Sequence, residues 1–177
     1  AKGFYETMSN SQTKRNDRVE REPVALLNPL SIDQSVMRTD MLDGIMTSIA
    51  YNINRKNKDL LFFEFGKTYF KSTSGFEEEN NLIIATSGSV VDANWATKAQ
   101  PADYFFLKGL MESLSTTIGL TSKKFLKLVT FKTLSADLQK QFGVKQPVHY
   151  AIVNWDNVIQ RAKSVRFKLE DIPVFPV

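Results

Sequence analysis

Residues 41–70 read MLDGIMTSIAYNINRKNKDLLFFEFGKTYF, and the change of period inside this run decides the fold class. Met41, Leu42, Ile45, Met46, Ile49 and Ile53 recur at three and four residues, which places them on one side of a helix. The apolar stripe predicts core packing. Thr39 or Asp40 can cap its start, and Asp43 in the first turn complements the positive end of the helix dipole. Asn54-Arg55-Lys56-Asn57 then stops the helix with positive charge. From Leu60 to Phe70 the period disappears: Leu60, Leu61, Phe62, Phe63, Phe65, Tyr69 and Phe70 form a near-continuous apolar run, the pattern of a buried strand. Glu64 interrupts it, and a carboxylate there must face water or be paired.

Working outward, Pro23–Pro29 predicts a short strand ended by a turn, and Leu82–Ser89 another strand. Asp103 can cap a helix carrying Leu107, Leu110, Met111, Leu114 and Ile118 on one face, with Gly119 ending it. Leu128–Phe131 and Val148–Asn154 read as strands. Ser135–Phe142 and Trp155–Ala162 read as short helices capped by Ser135 and by Asn154 or Asp156, and Val165–Leu169 as a last strand. Ser9–Glu22, Lys71–Asn81 with its acidic triplet Glu77–Glu79, and Asp92–Pro101 read as loops. No repeat or linker divides the chain. Interspersed helices and strands with short connections predict an α+β fold with a mainly antiparallel sheet.

The chain has 177 residues, a length that suits one domain able to bury its own core. With no Cys and a single His (His149), disulfides, thiolate nucleophiles, Cys-based metal sites and pairs of His catalysts are excluded. No apolar run approaches the ~20 residues that span a bilayer, and the first residues resemble neither a signal nor a transit peptide. The expectation is a soluble, cytoplasmic domain. Residues 121–177 carry 10 basic against 4 acidic groups, within a net charge of +4. That excess could meet phosphates, although Lys123, Lys124, Lys127, Lys132 and Lys140 are each expected on solvated faces.

Motifs that carry chemistry are missing. There is no phosphate-binding G-x-x-x-x-G-K-[ST] and no G-x-G-x-x-G. His149 has no local Ser/Asp arrangement and reads as a packed or surface strand residue. The spacing of Asp33, Asp40 and Asp43 could suggest a metal loop, but Asp40 and Asp43 already serve the start of a helix. The residues alone describe an α+β domain without a visible active site.

Five blocks in register add a resemblance: Asn28-Pro29-Leu30-Ser31; Ser35-Val36-Met37-Arg38-Thr39 with Met41-Leu42-Asp43-Gly44-Ile45; Tyr51-Asn52-Ile53-Asn54-Arg55; Phe63-Glu64-Phe65-Gly66-Lys67; and Asp103-Tyr104-Phe105-Phe106-Leu107-Lys108-Gly109 with Glu112. Together with Ile172-Pro173-Val174-Phe175-Pro176 they resemble the catalytic-like core of the phenylalanyl-tRNA synthetase β subunit. The resemblance implies a class II synthetase-like antiparallel sheet flanked by helices, with residues 1–172 as the core and 173–177 opening a linker to an anticodon-binding-type domain. It also implies a non-catalytic role: scaffolding an α/β heterotetramer whose α subunit ligates phenylalanine to its tRNA with ATP and magnesium, no cofactor being held by this chain. Partners are then the α subunit and tRNA(Phe), and the chain alone should expose an apolar patch and self-associate.

The residues bear on that silence themselves. Class II chemistry needs a strand Arg whose forked guanidinium holds the ATP α-phosphate. The corresponding positions read Tyr69-Phe70-Lys71, and Lys is a point charge rather than a fork. The chain also runs quickly from Phe125 to Leu134, where the family has an H-P-G-rich stretch and a strand pair, and a similar shortening lies near Arg15–Glu22. Candidate interface or structural residues are Arg38, Asn54, Arg55 and Glu64. Arg38 either arranges an interface or pairs with Asp40 or Asp43, and Asn54 either joins that interface or caps its helix. Two other functions remain open from sequence: a stand-alone nucleic-acid-binding module using the basic C-terminal third, and an active class II-like enzyme with altered chemistry.

Overall fold

In the computed structural model the described residues are 21–30, 35–91 and 95–162. The first regular element is the helix α1, Leu42–Asn54, with Leu42, Ile45, Met46 and Ile49 buried as the stripe requires. Asp40 Oδ1 accepts from the backbone N–H of Leu42 at 2.9 Å and so caps the first turn. At the other end Lys56 adopts a left-handed φ of 70°, and the Asn57 N–H returns to the Asn52 carbonyl.

The strand β1 spans Leu60–Ser72 and is followed, after a two-residue turn at Thr73-Ser74, by β2, Gly75–Ser87. This corrects the loop expected over Lys71–Asn81, because those residues are the two arms of one hairpin. The acidic triplet is compatible with a strand here because the charges are paired. Lys67 Nζ lies 2.8 Å from Glu78, Arg21 Nη1 lies 2.7 Å from Glu79, and Glu77 accepts from the hydroxyls of Ser72 and Ser74. Those hydroxyls hold the Glu77 carboxyl below its ordinary pKa, and the Glu78 hydrogen bond, then its charge, raise that of Lys67.

Short strands β3, Ser89–Val91, and β4, Gln100–Pro101, pair beside the main sheet. Next come the helices α2, Tyr104–Thr117, and α3, Ser122–Leu126. Asp103 caps α2 by accepting from the N–H groups of Phe105 and Phe106, and Gly119 closes it at φ 77°. Then follow β5, Val129–Thr133; the helix α4, Ala136–Phe142, ended by Gly143 at φ 68°; β6, Val148–Asn154; and the helix α5, Trp155–Ala162. The expected strand at Val165–Leu169 and the linker at 173–177 lie outside the described residues. Pro23–Pro29 does not form a sheet strand. It makes a single bridge, Ala25 to Val36, while Glu22 just before it bridges Lys71; Pro23 and Pro29 have no N–H to give to a ladder.

The main sheet is antiparallel with order β1-β2-β6-β5. Alternate residues of β2 and β6 feed two cores. Ile83, Ala85, Val148 and Tyr150 pack with α1 and α4 on one face, whereas Leu82, Ala151 and Val153 pack with α2, α3 and α5 on the other. Covered on both faces, Leu82–Ser87 is almost wholly buried. The helix α5 is tied to β2 at its start, where the Asp156 carboxylate accepts from the Asn80 backbone N–H at 3.0 Å and from its side-chain amide at 2.9 Å. The backbone bond, then the side-chain bond, lower the Asp156 pKa. A depressed folded pKa contributes stability above the unfolded value of about 4 and loses it as pH falls through the folded value. Asp156→Asn is therefore expected to be less stable than the parent at pH 7, with the gap closing toward pH 3; urea unfolding at both pH values measures it.

Candidate functional site

Arg38 and Glu64 come together from the segment before α1 and from β1. Arg38 Nη1 lies 2.5 Å from Glu64 Oε1, and Arg38 Nε donates to the Lys67 carbonyl at 2.7 Å. The Arg38 carbonyl accepts from the Tyr69 N–H at 2.9 Å, so one residue clamps β1 by side chain and backbone together. Glu64, not Asp40 or Asp43, is the partner in this ion pair, a correction to the sequence reading. The guanidinium crosses directly over Gly66. A Cβ there would collide with Arg38 Nη2 and lie 2.8 Å from Met41 Cε. The blocks Arg38-Thr39 and Glu64-Phe65-Gly66 are thus one structural device, with the Gly required by the close approach.

Asn54 and Arg55 lie at the far end of α1, away from that clamp. Arg55 stacks its guanidinium over the Tyr51 ring, 3.3 Å from the centroid, and donates to the Tyr51 carbonyl. Asn54 is exposed on the last turn with no side-chain hydrogen bond to any described residue. The residue that closes the helix is Asn52, whose carbonyl accepts from Arg55 and Asn57.

At the end of β1, Lys71 Nζ is bound to Glu22 at 2.8 Å. Phe70 carries the Arg21 guanidinium 4.1 Å above its ring, and that guanidinium also holds Glu79. A cavity of about 370 Å³ opens beside this corner on the α1 face of the sheet. Its floor includes the buried Thr68 and Asn81, with the Asn81 amide donating to the Thr68 hydroxyl at 2.9 Å. Its walls carry Arg21 and Lys132 against Asp40 and Glu79, so cations and anions balance, unlike a site built for a polyphosphate. Sequence reading missed Asn81 and Glu79 because they were assigned to a loop. His149, in β6, meets the Thr133 hydroxyl at 2.9 Å and is a half-buried strand residue. Among the described residues no group of three His, Cys, Asp or Glu could hold a metal ion. No described helix is long and apolar enough to cross a membrane.

The strand read as buried is instead half open. β1 is an edge strand whose even-numbered residues face α1, whereas Leu61, Phe63 and Phe65 are 53%, 74% and 51% exposed. The Trp155 ring meets the Phe65 ring edge-on at 4.7 Å. A second aromatic corner lies at the start of α2, where Tyr104 contacts both Phe105 and Phe131. Lys123, Lys124, Lys127 and Lys140 are exposed as expected.

The sheet is antiparallel and helices cover both of its faces. The fold matches a solved pyrrolysyl tRNA synthetase, PylSc of Desulfitobacterium hafniense, with a TM-score of 0.57 over 83% of this chain and 58% of that chain at 13% identity. The family model described as the phenylalanyl tRNA synthetase beta chain CLM domain matches residues 1–142, and the chain belongs to that family. Among its relatives, the phenylalanine–tRNA ligase beta subunit of Bacteroides fragilis is 31% identical over 210 positions, covering 98% of this chain and 26% of the relative. That of Streptococcus pneumoniae is 40% identical over 100 positions, 54% of this chain and 12% of the relative. The chain spans about a quarter of the length of the first of these. Since 98% of 177 residues supplies about 173 of those 210 positions, the Bacteroides subunit carries about 37 residues in the matched region that this chain lacks.

Proposed function

We propose that this chain is the non-catalytic, class II synthetase-like core of a phenylalanyl-tRNA synthetase β subunit, and that it scaffolds a cytoplasmic α/β heterotetramer. On this reading the α subunit adenylates phenylalanine and charges tRNA(Phe) with ATP and magnesium. Membership of the β-chain family supports the assignment to this subunit. The observation that carries the non-catalytic part is the end of β1: the Lys71 ammonium is occupied by Glu22, and Phe70 is capped by Arg21, itself held by Glu79. No guanidinium fork is left there for an α-phosphate, so the residues present do not fit ATP. The exposed aromatic surfaces on β1 and α2 supply the apolar contact that a subunit core needs.

The test is ATP–pyrophosphate exchange together with complex formation. The chain alone is expected to give no phenylalanine-dependent exchange and to join the α subunit when the two are mixed. Phenylalanine-dependent exchange by the chain alone overturns the non-catalytic reading.

A further inference from the structure

We propose that the cavity on the α1 face of β1 and β2 is a binding site for a small uncharged molecule with a carboxamide-type head and an apolar body. The site goes beyond the scaffold role proposed above and does not depend on it.

The floor of the cavity carries the reason. Along β2, Ile83 and Ala85 pack into the α1 core, and the next position on that face of the strand is Asn81. An amide thus stands where the alternation would place an apolar side chain. Asn81 is 7% exposed, and Thr68, diagonally across on β1, is 2% exposed. The Asn81 amide donates to the Thr68 hydroxyl at 2.9 Å, and neither side chain makes another hydrogen bond to a described residue. Asn81 Oδ1 and the Thr68 hydroxyl proton are left over, on two residues that line the cavity. A buried polar atom without a partner is costly, and native folds rarely leave one. One ordered water would meet it, but the cavity of about 370 Å³ is far larger than the ~30 Å³ that a water occupies in the liquid.

The chemistry of the occupant follows from what the charged walls already hold. Arg21 is bound to Glu79, Asp40 accepts from the Leu42 N–H at the start of α1, and Lys132 has a partner of its own. With the cations and anions balanced and engaged, an ion entering the cavity would lose its hydration and gain no dedicated counter-charge. What remains is one neutral acceptor beside one neutral donor. A carboxamide matches that pair: its N–H donates to Asn81 Oδ1 while its carbonyl accepts from the Thr68 hydroxyl. Met41, Leu42, Tyr150 and Ile152 line the same cavity and give an apolar body a surface to pack against, the usual make-up of a small-molecule site.

The test titrates the whole nitrogen-15-labelled chain with benzamide and follows amide resonances by NMR. Saturable shifts are expected, with the Asn81 side-chain amide among the resonances that move most and half-saturation at about 1 mM, ordinary for a probe of this size. Benzoate and benzylamine keep the ring but carry a charged head, and each is expected to bind roughly tenfold or more weakly than benzamide. Thr68→Val keeps the shape and removes the hydroxyl, and is expected to weaken benzamide roughly five- to tenfold, the effect of one lost hydrogen bond. Should that variant fold poorly, the ranking of the three probes on the parent chain still decides. Benzamide that fails to saturate overturns the proposal, as a cavity filled by water or by the chain itself would give. Equal binding of the three probes, shifts that spare Asn81, or a folded Thr68→Val chain that binds benzamide as the parent does overturn it equally.

Discussion

Phe125→Ala is expected to destabilise the protein by about 3–5 kcal/mol, the range for emptying a buried aromatic site, and to lower the melting temperature by roughly 6–20 °C at ~2–4 °C per kcal/mol for a chain of this size. Phe125 is 0% exposed and belongs to the core formed by α2, α3, α5 and the sheet. It projects from α3, which has five residues, too few to be stable as an isolated helix. Packing must therefore hold α3 in place, and Phe125 is its buried residue. The loss should spread to the entry into β5, because the Leu128 N–H closes onto the Phe125 carbonyl. Urea unfolding measures it. A loss below about 1 kcal/mol, the level of a surface change, contradicts this account of the core.

Gly66→Ala is expected to reverse the usual sign. Replacing Gly by Ala at an unstrained position ordinarily gains ~0.4–1 kcal/mol through the unfolded state. Here the added Cβ meets the Arg38 guanidinium and Met41 Cε. Arg38 can swing aside only by releasing Glu64 and the Lys67 carbonyl. A charged hydrogen bond is worth ~1.5–3 kcal/mol, and partial exposure of both side chains reduces that, so a net loss of about 1–2 kcal/mol follows. In an Arg38→Ala background the same substitution should cost much less, the non-additivity expected of groups in contact. Additive effects would show that Gly66 and Arg38 do not share the device described.

Most of the fold could be read before the structure, and the failures share a cause. The three-and-four spacing of Met41–Ile53 and the caps at Asp103 and Ser135 are local signals, and each is realised locally. Lys71–Asn81 was misread because Glu77–Glu79 looks like a solvated loop by composition. What makes it a strand is long-range pairing with Arg21 and Lys67 together with the tight turn before Gly75, and the Ser-Thr-Ser-Gly stretch at 72–75 was the available signal for that turn. Leu60–Phe70 was misread for the complementary reason. An apolar run states that a strand seeks cover, not which partner supplies it. Of the candidate residues, Arg38 and Glu64 meet across 26 positions, a pairing that no spacing rule contains. Arg55 makes only a local stack on α1, and Asn54 makes no side-chain bond to a described residue.

The central claim, a β-type core built to be part of a larger synthetase, is tested most directly by sedimentation velocity on this chain mixed with the phenylalanyl-tRNA synthetase α subunit of the same organism. The account predicts a boundary at micromolar concentration that contains both chains and sediments faster than either alone. Two independent boundaries at that concentration, with each protein folded, would contradict it.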